Sequence, residues 1–385
     1  MNTLLECLRS AQAALLELLH LLGWAPDVDG QPGWPFGRRI AGETLMLDIG
    51  QARQLVVCLL LVAAALLLLV AAACCWRRGW PKVAWPLAAA TVATLALAPW
   101  PSEYALWTRA YPTSFHTSPT GFSADSVVRG RTLFQQQCVS CHGGDGRGQG
   151  PLARQLAMWP PDLSSPLLWR RADGELLWVI LHGKSDRQGT ETMPGFQARL
   201  DVQGAWALID YMRALAAGQA LQASGAWVQP VRVPKFSLDC ERRGHLSSTD
   251  LRGQRLLILA PERNAPDVLP DPRMLTVELV LPGRPAQTGS ADCVADTPDA
   301  REALALIAGR DARAFGGAQF IADRGGWLRA FSPLGKETWS ASDLLCRSND
   351  KPGGGVAAQA MDALSSLIAE MDAEPVRFVQ GGFVH

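Results

Sequence analysis

Cys138-Val139-Ser140-Cys141-His142 limits what this chain can fold into more than any other stretch. Its C-x-x-C-H spacing is the attachment signature of a c-type haem, in which each thiol adds across a vinyl group and the histidine falls beneath the iron. One covalent haem c is therefore expected, held by Cys138 and Cys141 with His142 as axial ligand. Met193, in Met193-Pro194-Gly195-Phe196, is the expected ligand on the other face. His/Met ligation fills both axial positions and favours electron transfer over oxygen binding. Met158 and Met212 compete for the role. Met158 sits too close to the signature, and Met212 lies inside a helical run that reads as packing.

Two other uses of C-x-x-C fit less well. A thioredoxin-type pair belongs between a strand and a helix, whereas this pair ends a helical run, Ser126 to Gln137, and enters a glycine-rich loop. A zinc site needs a second Cys or His pair nearby, and the sequence offers none. The glycines Gly143, Gly144, Gly146, Gly148 and Gly150 lack the Lys-Ser/Thr of a phosphate loop, so they read as a turn wrapping the haem. His182, in Leu-His-Gly-Lys, reads as structural. Residues 123–217 resemble a class I cytochrome c, an all-α fold. Gly130 and Phe134 match that family's first-helix contact positions, with Trp206 and Tyr211 as partners on the last helix, Val202 to Leu215. The resemblance implies that the carbonyl of Pro151 accepts the proximal histidine's N–H, fixing its tautomer.

The N-terminal part differs in kind. Leu55 to Cys75 carries no charge, and at 1.5 Å per residue it is long enough to cross a bilayer. Val83 to Ala98 is a shorter apolar run, extended by Trp80, Trp85 and Trp100, residues that favour the membrane interface. Residues 53–100 thus read as a transmembrane helical hairpin. The positive-inside rule puts Arg77, Arg78 and Lys82 in the cytoplasm, although Arg38, Arg39 and Arg53 lie on the other side of the first span. Covalent haem attachment decides between them: the chain beyond Trp100 is expected in the periplasm of a bacterial inner membrane. Residues 101–122, rich in Pro, Thr and Ser over Tyr111 to Gly121, read as a linker. Residues 1–23 carry a polar stripe, Glu6, Arg9, Ser10, Glu17 and His20, on a Leu/Ala helix. No small-residue cleavage site comes after it, so an interfacial helix or a further span is expected rather than a signal peptide. A lone histidine such as His20 is ordinarily satisfied locally.

With Trp34-Pro35-Phe36 and Tyr111-Pro112-Thr113-Ser114-Phe115, the hydrophobic part followed by the cytochrome resembles the C-terminal portion of copper-resistance D membrane proteins. This chain would be a truncated relative, which puts transport in doubt.

Residues 231–350 read as an α/β domain. Phe236 to Cys240, Arg255 to Ala260, Met274 to Leu281 and Gln319 to Phe331 read as strands, with a hairpin turn at Asp323-Arg324-Gly325-Gly326. Thr297 caps a helix to Ile307, with Pro298 at its first position. The order resembles the thioredoxin-like fold of the Sco copper chaperones through Phe236-Ser237-Leu238 and Asp250-Leu251-Arg252-Gly253. That family's copper-binding cysteines would fall at Ala265 and Leu269, within Ala265-Pro266-Asp267-Val268-Leu269-Pro270, and its histidine would fall within Ala314 to Gln319, which has none. Without thiolates there is no soft Cu(I) site and no attacking nucleophile. Of nine cysteines, Cys240, Cys293 and Cys346 belong to this domain, and an oxidising compartment allows one disulfide among three pairings. Residues 351–385 read as a glycine linker and an amphipathic helix, Val356 to Asp372, with Met361, Leu364, Ile368 and Met371 on one stripe.

Lys+Arg and Asp+Glu balance at 36 each, so no basic excess points to nucleic acid. The expected function is that of a membrane-anchored electron carrier rather than an enzyme. Its partners would be a periplasmic or membrane redox protein and membrane lipid, in a copper-handling or respiratory context. The alternatives are a peroxidase-like haem enzyme or sensor, or an accessory protein of copper transport or cytochrome oxidase assembly.

Overall fold

The computed structural model describes all residues except 1, 42–48, 101–106, 166–167, 263–270, 281–290, 296, 334–338, 347–361, 377 and 379–385. The chain forms two compact units. The first holds Met1–Pro26 and Trp34–Pro112, and the second holds Asp27–Gly33 and Thr113–Val379.

In the first unit, α1 (Asn2–Leu21) precedes α2 (Ile49–Arg77) and α3 (Pro81–Leu97). The apolar stretch Arg53–Arg77 of α2 is long enough to cross a membrane, and α3 is apolar but shorter. Gly79, at φ 76°, makes the turn between α2 and α3, and Pro81 and Lys82 open α3. Strand β1 (Arg38–Ile40) pairs antiparallel with β2 (Trp107–Arg109). Gln12 of α1 donates to the carbonyl of Ile40 and accepts from its amide at 2.9 Å, fastening α1 to β1. His20 is satisfied by the carbonyl of Ala25.

In the second unit, α4 (Ala124–Gln137) and α7 (Val202–Ser224) cross closely. Gly130 makes the crossing possible: a Cβ there would lie 1.9 Å from the carbonyl oxygen of Ala207. Phe134 and Tyr211 stack at 5.2 Å between ring centroids, and Trp206 is almost wholly buried. These are the helix contacts the sequence predicts. Between them run the single turn α5 (Val139–His142), α6 (Asp173–His182) and a short hairpin of β3 (Lys184–Ser185) and β4 (Glu191–Met193).

Among the described residues the rest is a seven-stranded sheet. Its strands are β5 (Ser237–Cys240), β6 (Gly244–Ser247), β7 (Leu256–Leu259), β8 (Leu275–Leu279), β9 (Cys293–Ala295), β10 (Gln319–Ala322) and β11 (Leu328–Ser332), in the order β11-β10-β7-β8-β9-β5-β6. Strands β7, β8 and β9 run parallel and the outer strands antiparallel. The turn at Asp323 to Gly326 closes through Gly326 N–H to the Asp323 carbonyl. Of the three possible cysteine pairings, the structure makes Cys240–Cys293, across the paired strands β5 and β9. The stretch Ala265 to Pro270 lies outside the described residues, so the replaced copper motif has no structural account.

One helix, α8 (Pro298–Ile307), joins the sheet to the cytochrome helices. Ala300, Ala303, Leu304 and Ile307 of α8 share one buried cluster with Ala124 and Val127 of α4, Ala214 and Ala217 of α7, and Leu238, Ile258 and Phe320 of the sheet. The approach to α7 is close: a Cβ on Gly218 would lie 2.2 Å from the Leu306 carbonyl. Arg131 pairs with Glu302 at 2.7 Å, and Trp227 Nε1 donates to the Ile307 carbonyl. On the other face of the sheet, α9 (Ala363–Ala373) buries Leu367 and Met371 against Leu257, Ile321 and Ala330.

The expected linker is not a free spacer where it is described. Residues 107–109 form β2, and Trp34 N–H donates to the Pro112 carbonyl. Thr113, Ser114 and His116 are buried. The Thr113 hydroxyl donates to the Gly174 carbonyl, and Gln31 exchanges hydrogen bonds with Thr117 at 2.9 Å. Composition made the segment read as a spacer; burial of its small hydroxyl residues makes it part of the frame.

Candidate haem-binding site

The amide of Cys138 donates to the Phe134 carbonyl, so α5 continues directly from α4. The amides of Cys141 and His142 both return to the Cys138 carbonyl, at 3.2 and 2.9 Å. This single turn puts Cys138, Cys141 and His142 side by side, all three partly exposed. The glycine-rich loop then folds back on it. Gly148 donates to the His142 carbonyl, Gly150 to Cys141 and Leu152 to Ser140. The backbone of the signature is thus fixed by a loop whose glycines leave room for the approach.

The two thiols are not joined in a disulfide. Burial pushes the Cys138 thiol up to about 12, with the Cys141 charge adding to the effect. A thiol-disulfide nucleophile needs a lowered value, so Cys138 is not poised for thiol exchange. Among the described residues no group of three or more His, Cys, Asp or Glu side chains is arranged to hold a metal ion.

Burial lowers the affinity of His142 for a proton, with the Pro161 carbonyl opposing that effect. A neutral imidazole at neutral pH is what metal ligation requires. Nδ1 is buried and makes no well-formed hydrogen bond. The backbone oxygen that acts on the ring is that of Pro161. Pro151 is exposed on the turn that covers the signature. The chain reaches the ring a loop later, where the Leu163 amide ties to the Gly146 carbonyl.

Met193 ends β4, opposite Lys184 in the hairpin register. Asp186 shapes the turn by accepting from the amides of Gln188 and Thr190 at 2.8 and 2.9 Å. Beyond Pro194, the amides of Phe196 and Gln197 return to the carbonyls of Ile180 and Leu181 on α6. Met193 is therefore held from both sides, by a hairpin that sequence reading missed and by the end of α6. The turn residues of Ser185-Asp186-Arg187-Gln188-Gly189 were its signal.

These parts meet at one apolar cluster. Cys138, Val139 and Met193 are partly buried hydrophobic neighbours of Phe134, Leu177, Ile180, Phe196, Trp206 and Leu208. Met212 is buried within that cluster, and Met158 stands half-exposed in a loop. His182 stacks on Trp178 at 3.7 Å between ring centroids and contacts its carbonyl. The apolar wall, the neutral histidine with its buried nitrogen and the two unbridged thiols fit a covalent haem.

Sequence reasoning also missed Asp210 of α7, which is 1% exposed. Its Oδ2 accepts from Thr120 and from Ser126, the latter at 2.7 Å. Burial pushes it up to about 6 against those two hydrogen bonds. Its only sequence signal is a carboxylate among the apolar residues of a helix that packs on both sides.

Residues 125–212 match the family described as cytochrome c oxidase, cbb3-type, subunit III. They are a cytochrome c-type domain, which implies covalently bound haem c and an electron carrier. No curated protein matches the chain. Among solved structures, the chain is similar to a Kuenenia stuttgartiensis reducing HAO-like protein complex, at 18% identity and a TM-score of 0.23. The match covers 28% of this chain and 51% of that one, so the chain spans about half the length of that relative.

Proposed function

We propose that this protein is a membrane-anchored cytochrome that passes single electrons through one haem c, with His142 and Met193 as axial ligands. The observation that carries the reading is the convergence of the Cys138–His142 turn and Met193 on one apolar cluster. The haem supplies a reversible one-electron couple. Cys138 and Cys141 hold it in place, and His142 offers a lone pair while its other nitrogen stays out of water beside Pro161. Met193, clamped between the Asp186 turn and the end of α6, denies the sixth position to small ligands. The aliphatic and aromatic wall excludes water, which favours the less charged reduced state.

Anchoring rests on α2 and α3. A 17-residue helix such as α3 rises about 25 Å, near the lower limit for a span. With Arg77, Arg78 and Lys82 cytoplasmic, the chain beyond Trp100 faces the periplasm, and its redox partner is a periplasmic or membrane protein. The sheet, with its disulfide and without a described metal cluster, serves as a frame for the cytochrome helices.

Exposure of the reduced holoprotein to carbon monoxide tests the ligation. A six-coordinate carrier leaves the spectrum unchanged, and Met193→Ala makes it respond. Carbon monoxide binding by the native protein would favour the haem enzyme or sensor. Labelling with a membrane-impermeant maleimide tests the topology in a Cys7→Ser background. Cys74 and Cys75 should react only after the membrane is opened.

A further inference from the structure

A cavity of about 360 Å³ lies in the second unit and shares Trp169 and Ala216 with the apolar cluster that meets the haem signature. That volume is within the range of small-molecule sites. One wall is the outer face of α7, where Arg213, Ala216, Ala220 and Ala223 come at helical spacing. Those small side chains leave the space open. Trp169, Trp327, Phe122 and Phe378 supply ring surfaces.

The charge of the lining has one sign. Arg147, Arg213 and Arg232 border the cavity, and among the described residues no aspartate or glutamate does. Arg213 is partly neutralised by Asp173 and lies over Trp169 at 5.6 Å. Arg147 spends one N–H on Gln219 at 3.0 Å and has a carboxylate, Asp145, only at 4.0 Å. Arg232 lies over the Trp327 ring, its Cζ 4.1 Å from the centroid. Among the described residues no carboxylate comes within 4 Å of it, and Asp323, the acid that acts on it at longer range, is itself bonded to Arg329. Stacking orients a guanidinium and leaves its N–H edge able to grip a planar anion.

We infer that this cavity binds a small aryl carboxylate, its ring among Trp169, Trp327 and Phe122 and its carboxylate on Arg232 and Arg147. The site also touches the haem loop. Arg147 lies between Gly146, whose carbonyl accepts from Leu163, and Gly148, which donates to the carbonyl of His142. A bound anion therefore sits on the segment that holds the proximal histidine. It should lower the reduction potential, and the oxidised protein should bind it more tightly by reciprocity.

The test is calorimetric titration of the full-length holoprotein with 2-naphthoate, and with neutral 2-naphthylmethanol and inorganic phosphate as separate probes. Naphthoate should bind one to one, at least tenfold more tightly than the alcohol, while phosphate alone gives no saturable heat. Ala220→Trp should abolish binding by filling the cavity. Arg232→Gln and Arg147→Gln should each weaken it about tenfold or more, with the haem spectrum unchanged as the check on folding. Equal binding of the alcohol, undiminished binding by Ala220→Trp, or no saturable heat from naphthoate at millimolar concentration would each overturn the inference. Saturation by phosphate alone would reassign the site to an inorganic anion.

Discussion

The haem-binding helices and the sheet of the second unit use the same side-chain types to opposite ends. Cys138 and Cys141 stand unbridged on one turn, whereas Cys240 and Cys293 close across β5 and β9. His142 buries a nitrogen without a well-formed hydrogen bond, whereas His245 bonds to the Leu238 carbonyl. In the first region the valences are left for another group; in the second they are consumed by the frame. Residue type alone does not separate a site from a scaffold here; for these four cysteines and two histidines the state of the side chain does.

The largest effect that could break this contrast is on haem retention. Cys138→Ala with Cys141→Ala should abolish covalent haem entirely, read as loss of haem staining after denaturing electrophoresis. The mirror experiment removes the structural pair. Cys240→Ala with Cys293→Ala should cost about 2–4 kcal/mol of stability while the haem spectrum stays native, measured by denaturant unfolding under oxidising conditions. A shifted spectrum would mean that the sheet acts on the site as well as framing it.

Gly218→Ala sharpens the comparison at the seam. Its Cβ would press on the Leu306 carbonyl of α8, so a loss of about 1–3 kcal/mol is expected. The haem helices and the sheet should then unfold in two steps, seen as haem absorbance and far-ultraviolet dichroism ceasing to coincide. A single coincident transition of unchanged midpoint would show that the shared core does not depend on this contact.

The smallest effect concerns Asp210. Its folded-state pKa is raised above the ordinary carboxylate value, to about 6. The contribution of its neutral form is therefore fully present below the unfolded value near 3.8 and is lost as pH rises through about 6. Asp210→Asn should thus be more stable than the native protein by about 1–2 kcal/mol at pH 7–8, and equal to it near pH 4. Thermal unfolding across that range measures the difference; an advantage that does not vanish in acid would show that the carboxylate is not the cause.

Legibility in the sequence tracks how local each signal is. The haem signature is written in spacing, whereas the contact of Gly130 and Phe134 with Tyr211, which the fold makes, followed from the family resemblance. The approach of Pro161 to His142 was not legible, because Pro151 and Pro161 are alike in sequence and only the path of the loop brings the second to the ring. Strands β6 and β9 are too short to carry a period. The union of the two halves was not legible either, since α8 reads as an ordinary amphipathic helix and its partners, α4 and α7, are chosen by tertiary packing. Thr113, Ser114 and His116 were read as spacer because polar composition suggests exposure; here small size lets Thr113 and Ser114 be buried, and His116 is buried beside them.

The central claim is that His142 and Met193 together hold a covalent haem. The most direct measurement is the absorption spectrum of the holoprotein, with a pyridine haemochrome after denaturation and the weak sulfur-to-iron band of the oxidised form in the near infrared. The account predicts a c-type haemochrome and a sulfur band that disappears in Met193→Ala but survives in Met158→Ala and Met212→Leu. A c-type haemochrome without the band, or a band that persists in Met193→Ala, would contradict it.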